Sequence, residues 1–248
     1  MGRLSGATRA QRMSEIVWLS GADDLTIATG DAPVVWHLRL DRPETERLAG
    51  GASLSAADLQ DLASKPEAGM RALRRRLAKI FLARLSGLHP DEIIIGRSAL
   101  GAPQVLHPPG WHISLAGRFP HCLIGLSRTP IGVDIEPLDA EPPPEDSFTP
   151  TERLALQGAK DITLITLWTA KEAHAKCLGI ASRIDAAEME TVACGDGLRV
   201  VSREGETQVC VRVVSETVRA VAKLCLRSDF AYTGQVAPTL SDQAHSSN

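Results

Sequence analysis

The stretch that decides the fold is IGVDIEPLD, residues Ile131–Asp139. Apolar residues that suit a β-strand stand at three alternate positions, Ile131, Val133 and Ile135. Asp134 and Glu136 lie among them, two residues apart, and side chains with this spacing on a strand point to one face of the sheet. Because neighbouring carboxylates repel each other, the pattern predicts either a solvated face or a positive partner for the pair.

Two interpretations of this acidic pair stay open at the level of the stretch itself. On an exposed strand face, water and salt screen both carboxylates, and the pair carries no function. On an enclosed face, the pair suits Mg²⁺, which binds a few protein carboxylates and leaves room for water and substrate phosphates.

The composition of the chain limits the class of protein. Its 248 residues are 44% hydrophobic and 23% charged, which suits one large domain or two small lobes with a shared core. The net charge of -3 gives no basic field for nucleic acid or an anionic membrane.

No stretch approaches the ~18 apolar residues of a membrane span, and the opening residues lack the apolar run of a secretory signal. Five cysteines without a C-x-x-C pair favour free thiols. We therefore expect a cytoplasmic protein that binds neither nucleic acid nor membrane.

Two runs of the chain share the order strand, helices, strands. The first begins at VVWHLRLD and the second at IGVDIEPL, with SRTP as the turn between them. This order predicts an α+β fold of pseudo-duplicated, two-lobed form, in which each lobe is a small sheet packed on helices. We expect an N-terminal extension over residues 1–30, an N-terminal lobe over 31–130, a C-terminal lobe with the metal site over 131–232 and a disordered tail over 233–248.

The segment FTPTE, residues 148–152, has the pattern of a helix capping box. Thr149 falls at the N-cap, Pro150 at the first helical position and Glu152 at the third. The cap alone accounts for Glu152, although a capping carboxylate that also faces a cleft is compatible with catalysis.

The segment LWTAKEAHAK, residues 167–176, predicts a helix with a second candidate site. Trp168, Glu172 and Lys176 recur every four residues and therefore share a face. In the simpler interpretation, Glu172 and Lys176 form a solvated pair and Lys171 is an ordinary surface residue. In the alternative, Glu172 is a third carboxylate of the site, one turn from a phosphate-binding Lys176.

The helix predicted in MRALRRRLAKIFLARLSGLHP, residues 70–90, carries a basic face. Arg71, Arg75 and Lys79 recur every four residues, beside Arg74 and Arg76. A solvated face is the usual meaning of such a run. A grip on phosphate is the alternative, since an arginine side chain offers a bidentate fork of donors.

The order of three of these motifs resembles the signature of the 4′-phosphopantetheinyl transferases. GVDIE, FTPTE and WTAKEAHAK match the family patterns G-[VI]-D-x-E, [FW]-[ST]-x-x-E and W-x-x-K-E-[AS]-x-x-K at every fixed position. The resemblance extends over about residues 31 to 230, and the length and apparent duplication are similar to the two-lobed, surfactin-synthetase-activating type. These enzymes transfer the phosphopantetheine arm of coenzyme A to a serine of a carrier protein and release 3′,5′-adenosine bisphosphate.

The resemblance implies a role for each candidate residue. It implies three ligands that hold Mg²⁺ with the coenzyme A pyrophosphate: Asp134, Glu136 and Glu172. It implies three catalytic residues: Glu152 as general base for the carrier serine, and Lys171 and Lys176 on the phosphates. It implies contacts with coenzyme A at three positions: Arg75, Ser114 and Lys176. The implied partners are coenzyme A and an acyl or peptidyl carrier protein, and we expect a monomer.

The first lobe departs from the family pattern at the expected coenzyme A contacts. Family members carry G-K-P and then [FW]-N-x-S-H, where this chain has GAP at 101–103 and WHISLAGR at 111–118. Ala102 replaces the lysine and Leu115 replaces the histidine, and both of these residues normally contact the 3′-phosphate. Two alternatives to an ordinary transferase therefore stay open. The protein could be a carrier-binding module without turnover, or a Mg²⁺-dependent transferase whose donor lacks the 3′-phosphate.

Overall fold

The structure is a computed structural model that describes residues 16–21, 32–63, 65–141, 143–158, 163–181, 183–195 and 197–225. The expected N-terminal extension is described only over 16–21, and the expected tail over 233–248 lies outside the described residues. None of the helices in the described part of the chain has the length and hydropathy that a membrane span requires.

In the described residues, the first lobe contains a four-stranded sheet, three α-helices and a hairpin. The sheet has the order β1-β2-β6-β5, in which β1 runs parallel to β2 and the other neighbours are antiparallel. Its strands are β1 Val17–Ser20, β2 Val34–Arg39, β5 His112–Arg118 and β6 His121–Ser127. The helices are α1 Pro43–Ala49, α2 Ala56–Ala63 and α3 Ala68–Ser86, and the hairpin strands are β3 Ile94–Arg97 and β4 Pro103–His107.

Helix α3 holds the first lobe together. Its apolar positions are buried against the sheet, where Phe81 stacks on Trp36 with ring centroids 4.3 Å apart. The helix ends at Ser86, because Gly87 takes a left-handed φ of 74° that carries the chain out of the helix.

The part of the second lobe that the structure describes contains a five-stranded antiparallel sheet and two α-helices. The sheet has the order β7-β11-β10-β9-β8. Its strands are β7 Ile131–Pro137, β8 Glu190–Cys194, β9 Gly197–Ser202, β10 Gly205–Val214 and β11 Thr217–Leu224. The helices are α4 Pro150–Gly158 and α5 Leu164–Cys177. The strand predicted at IGVDIEPL is confirmed as β7.

Strand β7 is buried on both faces and joins the two lobes. Its odd-numbered apolar residues lie in one core cluster with Val35, Ala116 and Leu123 of the first sheet. Its even-numbered face meets α5 so closely that a Cβ added at Gly132 would lie 1.9 Å from the carbonyl oxygen of Ala173. The acidic pair of the deciding stretch therefore lies on an enclosed face rather than a solvated one.

The two sheets differ in their number of strands. The first sheet runs β1, β2, β6, β5, and strand β4 of the β3–β4 hairpin packs beside β5. The second sheet runs β7, β11, β10 and then the β9–β8 pair. The described residues therefore form a mixed α and β structure with several sheets, as the sequence predicts. Strand β4 was not predicted, because only Val105 of its five residues is buried and it begins at a proline.

Candidate active site

Strand β7 and helix α5 bring the predicted carboxylates together. Asp134 and Glu136 share the face of β7 that α5 covers, and Glu172 lies on α5, one turn from Trp168 and Lys176. These side chains line one cavity of about 320 Å³ with Arg118, the last residue of β5. We call this space the carboxylate cavity.

Two cationic side chains partner the acidic pair. The Nζ of Lys176 donates to Oδ1 of Asp134 over 2.5 Å, and the Nε of Arg118 donates to Oε2 of Glu136 over 2.8 Å. Asp134 and Glu136 are buried, with residue exposures of 4% and 5%. Lysine and arginine therefore supply the positive charge that the sequence pattern requires.

Burial still governs the protonation of the three carboxylates. Burial raises the pKa of Asp134, despite the attraction of Lys176, and raises the pKa of Glu136, despite its bond to Arg118. Burial also raises the pKa of Glu172, to which the charges of Asp134 and Glu136 add. For Lys176, burial favours the neutral amine, but the attraction of Asp134 outweighs it and the pKa is raised. Three carboxylates thus face two cations in this cavity, and burial favours the neutral form of each carboxylate.

One oxygen of this cluster has no partner within the described protein. Oδ2 of Asp134 is buried and makes no hydrogen bond, which is costly for a carboxylate oxygen. The set of oxygen donors and this free oxygen both fit a hard dication such as Mg²⁺. Among the described residues, no three acidic, histidine or cysteine side chains are already arranged to hold a metal ion. Metal binding would therefore need side chains of the cavity to move.

A larger cleft of about 800 Å³ opens beside the carboxylate cavity, and Lys176 lines both. The cleft lies between the lobes and includes Ser114, whose Oγ accepts a hydrogen bond from the Val133 N–H over 3.0 Å. Ala102 and Leu115 also line it. The two departures from the family pattern therefore both face this cleft.

Arg75 lies in a buried ion network beneath the cleft. Its guanidinium donates to Asp58 and Asp61, each over 2.9 Å, and to the carbonyl oxygen of Ile95. Lys79 shares the Asp58 carboxylate. Arg75 is 3% exposed, so the contact with coenzyme A that the resemblance implies would require this network to open.

Glu152 and Lys171 form a second buried pair, apart from the residues that line the carboxylate cavity. Lys171 Nζ donates to Oε2 of Glu152 over 2.7 Å, and both side chains are 0% exposed. Its other two bonds go to the carbonyl oxygens of Ser147 and Ala186. Burial lowers the pKa of Lys171, and the bond to Glu152 opposes that shift. Lys171 therefore has no free donor for a phosphate in this arrangement.

Glu152 is the capping carboxylate that its motif predicts. Its Oε2 accepts the Thr149 N–H and its Oε1 accepts the Thr191 N–H, each over 2.8 Å. Both oxygens are thus occupied. The role of general base stays a prediction, and it requires Glu152 to exchange one of these bonds for the hydroxyl of a substrate.

Arg118 is the site residue that the sequence did not reveal. It reaches Glu136 because β5 of the first sheet packs along β7 of the second, a contact between two sheets that no local pattern shows. The sequence offers only a weak signal for Arg118. This residue stands three positions after Leu115, at the end of the segment that aligns with the family motif.

The comparison with known protein families finds a match over the second lobe. Residues 130–225 match the model of the 4′-phosphopantetheinyl transferase superfamily. The match spans β7 to β11 and includes every carboxylate and lysine of the candidate site, while the first lobe lies outside it. No curated protein sequence matches the chain.

Proposed function

We propose that the protein transfers the 4′-phosphopantetheine arm of coenzyme A to a serine of an acyl or peptidyl carrier protein. The reaction depends on Mg²⁺ and releases 3′,5′-adenosine bisphosphate. The observation that carries the proposal is the meeting of Asp134, Glu136 and Glu172 in one cavity, with Lys176 opening onto the adjoining cleft. The family match over the same segment supports it.

The transfer forms one bond and breaks one. The serine oxygen bonds to the β-phosphorus of coenzyme A, and the bond from that phosphorus to the bridging oxygen of the α-phosphate breaks. The serine proton passes to a carboxylate of the site, with Glu152 as the expected base. When bound by Asp134, Glu136 and Glu172, Mg²⁺ would neutralise charge on the pyrophosphate oxygens.

The side chains of the cavity have separate tasks in this reaction. Lys176, released from Asp134, turns its ammonium toward the pyrophosphate, where it stabilises charge on the leaving oxygen. Arg118 holds Glu136 in place and closes the cavity from the side of the first lobe. The apolar walls of the cleft exclude water that would compete with the serine hydroxyl.

The test is a mass measurement on the acceptor. Purified protein, coenzyme A, Mg²⁺ and an apo carrier protein should raise the carrier mass by one phosphopantetheine group. Glu172→Gln should abolish the change, because it removes a carboxylate from the cavity, whereas Glu46→Gln on the exposed side of α1 should leave it intact. No mass change with several different apo carriers would count heavily against the proposal.

A second candidate function follows from Ala102 and Leu115, which line the cleft without offering charge. The protein would then bind carriers without turnover or use a donor that lacks the 3′-phosphate. Tight carrier binding without Mg²⁺-dependent binding of coenzyme A would favour the first of these. Equal transfer from coenzyme A and dephospho-coenzyme A would favour the second.

We propose further that the two lobes are an internal duplication of the surfactin-synthetase-activating type. The shared order of strands supports this, since β2, β6 and β5 correspond to β7, β11 and β10. The carboxylates belong to the second lobe alone, so the first lobe would have become a wall of the donor cleft.

A further inference from the structure

Two histidines and a glutamate form a hydrogen-bonded chain where the first sheet meets the turn between β10 and β11. Nε2 of His37, on β2, lies 3.0 Å from Nδ1 of His121, on β6. Nε2 of His121 lies 3.0 Å from Oε1 of Glu216, which precedes β11 in the second lobe. The two imidazole rings are stacked, with their centroids 5.3 Å apart. We call these three side chains the histidine relay.

The hydrogen atoms of the relay can be placed because an ionised carboxylate only accepts hydrogen bonds. Nε2 of His121 must therefore donate to Glu216, which leaves Nδ1 of a neutral His121 as an acceptor. Nε2 of His37 then carries the hydrogen of the bond between the two rings. With both histidines neutral, the relay thus donates in one direction, from His37 through His121 to Glu216.

The relay can take up one proton without losing a bond. When His121 becomes an imidazolium, its Nδ1 donates to His37, which accepts by carrying its own hydrogen on Nδ1 instead of Nε2. Glu216 then faces a cation rather than a neutral donor, so a hydrogen bond between the lobes becomes an ion pair. A second proton does not fit, because N–H groups of the two rings would then point at each other over 3.0 Å.

The charges around His37 also oppose a second proton. Arg39 follows on the same strand, where it binds Asp41 through two hydrogen bonds and donates to Glu216 over 3.4 Å. Arg219 of β11 is 6% exposed and adds a second guanidinium on the side of the second lobe. Burial lowers the pKa of His37 from 6.5 to about 3, and the charges of Arg219, of the other histidine and of Arg39 add to this shift.

The relay lies beside the ion pair that borders the carboxylate cavity. His121 is the partner of Arg118 in the β5–β6 hairpin. The carbonyl oxygen of Glu216 accepts the Leu138 N–H over 2.8 Å, two residues beyond Glu136. The His121–Glu216 contact and the Arg118–Glu136 bond therefore join the same two edges of the lobes.

We propose that His37, His121 and Glu216 form a pH-dependent contact between the lobes, which takes up a single proton in mild acid and is strengthened by it. The proton comes from solvent and resides on His121, while His37 changes tautomer and stays neutral. This response is opposite to that of a histidine switch that opens an interface when it is protonated. The edge of the carboxylate cavity beside Arg118 is therefore held more firmly at about pH 6 than at about pH 8.

NMR of the imidazole nitrogens in the native protein, from about pH 8 to about pH 5.5, tests the proton count. Long-range ¹H–¹⁵N spectra show which ring nitrogen carries hydrogen, and His37→Gln and His121→Gln assign the two rings. At the upper pH both rings should carry hydrogen on Nε2. At the lower pH His121 should be an imidazolium and His37 a neutral ring with hydrogen on Nδ1. Two imidazolium rings at the lower pH, no change across the range, or hydrogen on Nδ1 of His121 at the upper pH would overturn the proposal.

Glu216→Gln tests the link between the proton and the lobes. The amide keeps the size of the side chain but not its charge, so protonation of His121 should need a pH about half a unit lower. Linkage requires the reciprocal effect on the contact, which is about threefold. The native protein should therefore protect the Leu138 amide from hydrogen exchange about threefold more at about pH 6 than at about pH 8, after correction for the intrinsic exchange rate.

Glu216→Gln should show equal protection at the two pH values. Glu145→Gln, at an exposed position of the same lobe, is the matched control and should behave like the native protein. Equal protection in the native protein, or the native ratio in Glu216→Gln, would show that the proton does not strengthen the contact and would overturn the proposal. These measurements need neither coenzyme A nor a carrier protein, so their failure leaves the proposed function intact, and failure of carrier modification leaves them unaffected.

Discussion

Lys176 stands where a metal ion would compete with it. Its ammonium lies 2.5 Å from Oδ1 of Asp134, while Oδ2 of the same carboxylate has no partner. We expect Lys176→Met to bind Mg²⁺ about tenfold more tightly than the native protein in the absence of donor, because the cation no longer has to displace an ammonium. The same variant should transfer more slowly, since the charge near the leaving oxygen is lost.

Titration of the free protein with Mg²⁺ by calorimetry measures the first effect, and the initial rate of carrier modification measures the second. Lys65→Met, at an exposed position of the first lobe, should alter neither. Weaker binding of Mg²⁺ by Lys176→Met would show that the lysine does not compete for Asp134.

The Glu152–Lys171 pair allows a base to be told apart from a structural partner. Removal of one member, as in Glu152→Gln or Lys171→Met, should cost about 3–5 kcal/mol, because it leaves a buried charge unpaired. The double variant Glu152→Gln/Lys171→Met should recover most of the free energy of unfolding. If Glu152 is the base, transfer by the double variant stays abolished despite the recovered stability.

Urea unfolding and carrier modification, measured on all three variants, decide between the two roles. Recovered transfer in the double variant would assign Glu152 a structural role only. Unrecovered stability would show that the two side chains do not act as a pair.

At the scale of elements, Gly132 sets how α5 meets β7. A Cβ at this position would overlap the Ala173 carbonyl and the Cys177 amide, at 1.9 and 2.4 Å. Gly132→Ala must therefore shift α5, which carries Glu172 and Lys176, at a cost of ~1–3 kcal/mol or more. We expect a lower thermal midpoint and a loss of Mg²⁺ binding. Gly69→Ala in α3, where a Cβ meets no atom within 4 Å, should instead leave the protein as stable or slightly more stable.

His174 links α5 to strands β9 and β10, and we expect it to make the stability of the protein depend on pH. It bonds to Thr207 Oγ1 over 2.9 Å and to Ser202 Oγ over 3.0 Å, and burial lowers its pKa from 6.5 to about 4. Between these values the unfolded chain binds a proton that the folded chain does not. The free energy of unfolding should therefore fall as pH falls from about 6.5 to about 4.

The contribution of His174 appears as a difference between proteins. The stability of the native protein relative to His174→Gln should decrease as pH falls through this window, measured by urea unfolding at several pH values. His89→Gln, at an exposed position, is the control. A difference that is independent of pH would contradict the assignment.

The elements also show what a sequence can reveal. The strand that begins at Ile131 and the helix around residues 167–176 follow from residue patterns over a few turns, and they were predicted. Arg118 acquires its contact with Glu136 from packing between two sheets, so no local pattern identifies it. The basic helix face that carries Arg71 and Arg74 was visible in the sequence, but its surroundings in the fold were not. Arg75 illustrates the same limit, because the sequence does not show which aspartates neutralise it.

At the scale of the whole molecule, β7 makes the two lobes one cooperative unit. Val133 is 0% exposed and lies in the core cluster that joins both sheets. Val133→Ala should cost about 2 kcal/mol and lower the hydrogen-exchange protection of β2 and β10 together. Val213→Ala, at a position that is 57% exposed, should change stability by less than about 0.5 kcal/mol. A loss of protection confined to the second lobe would contradict this view.

The place of β7 at the edge of its sheet has a consequence for synthesis on the ribosome. Within that sheet β7 pairs only with β11, the last strand in the described chain. The β5–β6 hairpin that covers its other face is complete much earlier, so a nascent chain carries an uncovered apolar surface until β11 has emerged. A ribosome that stalls before β11 would release a product with the acidic motif in its sequence but without the fixed carboxylate cavity. Such a product would be a substrate for chaperones and proteases.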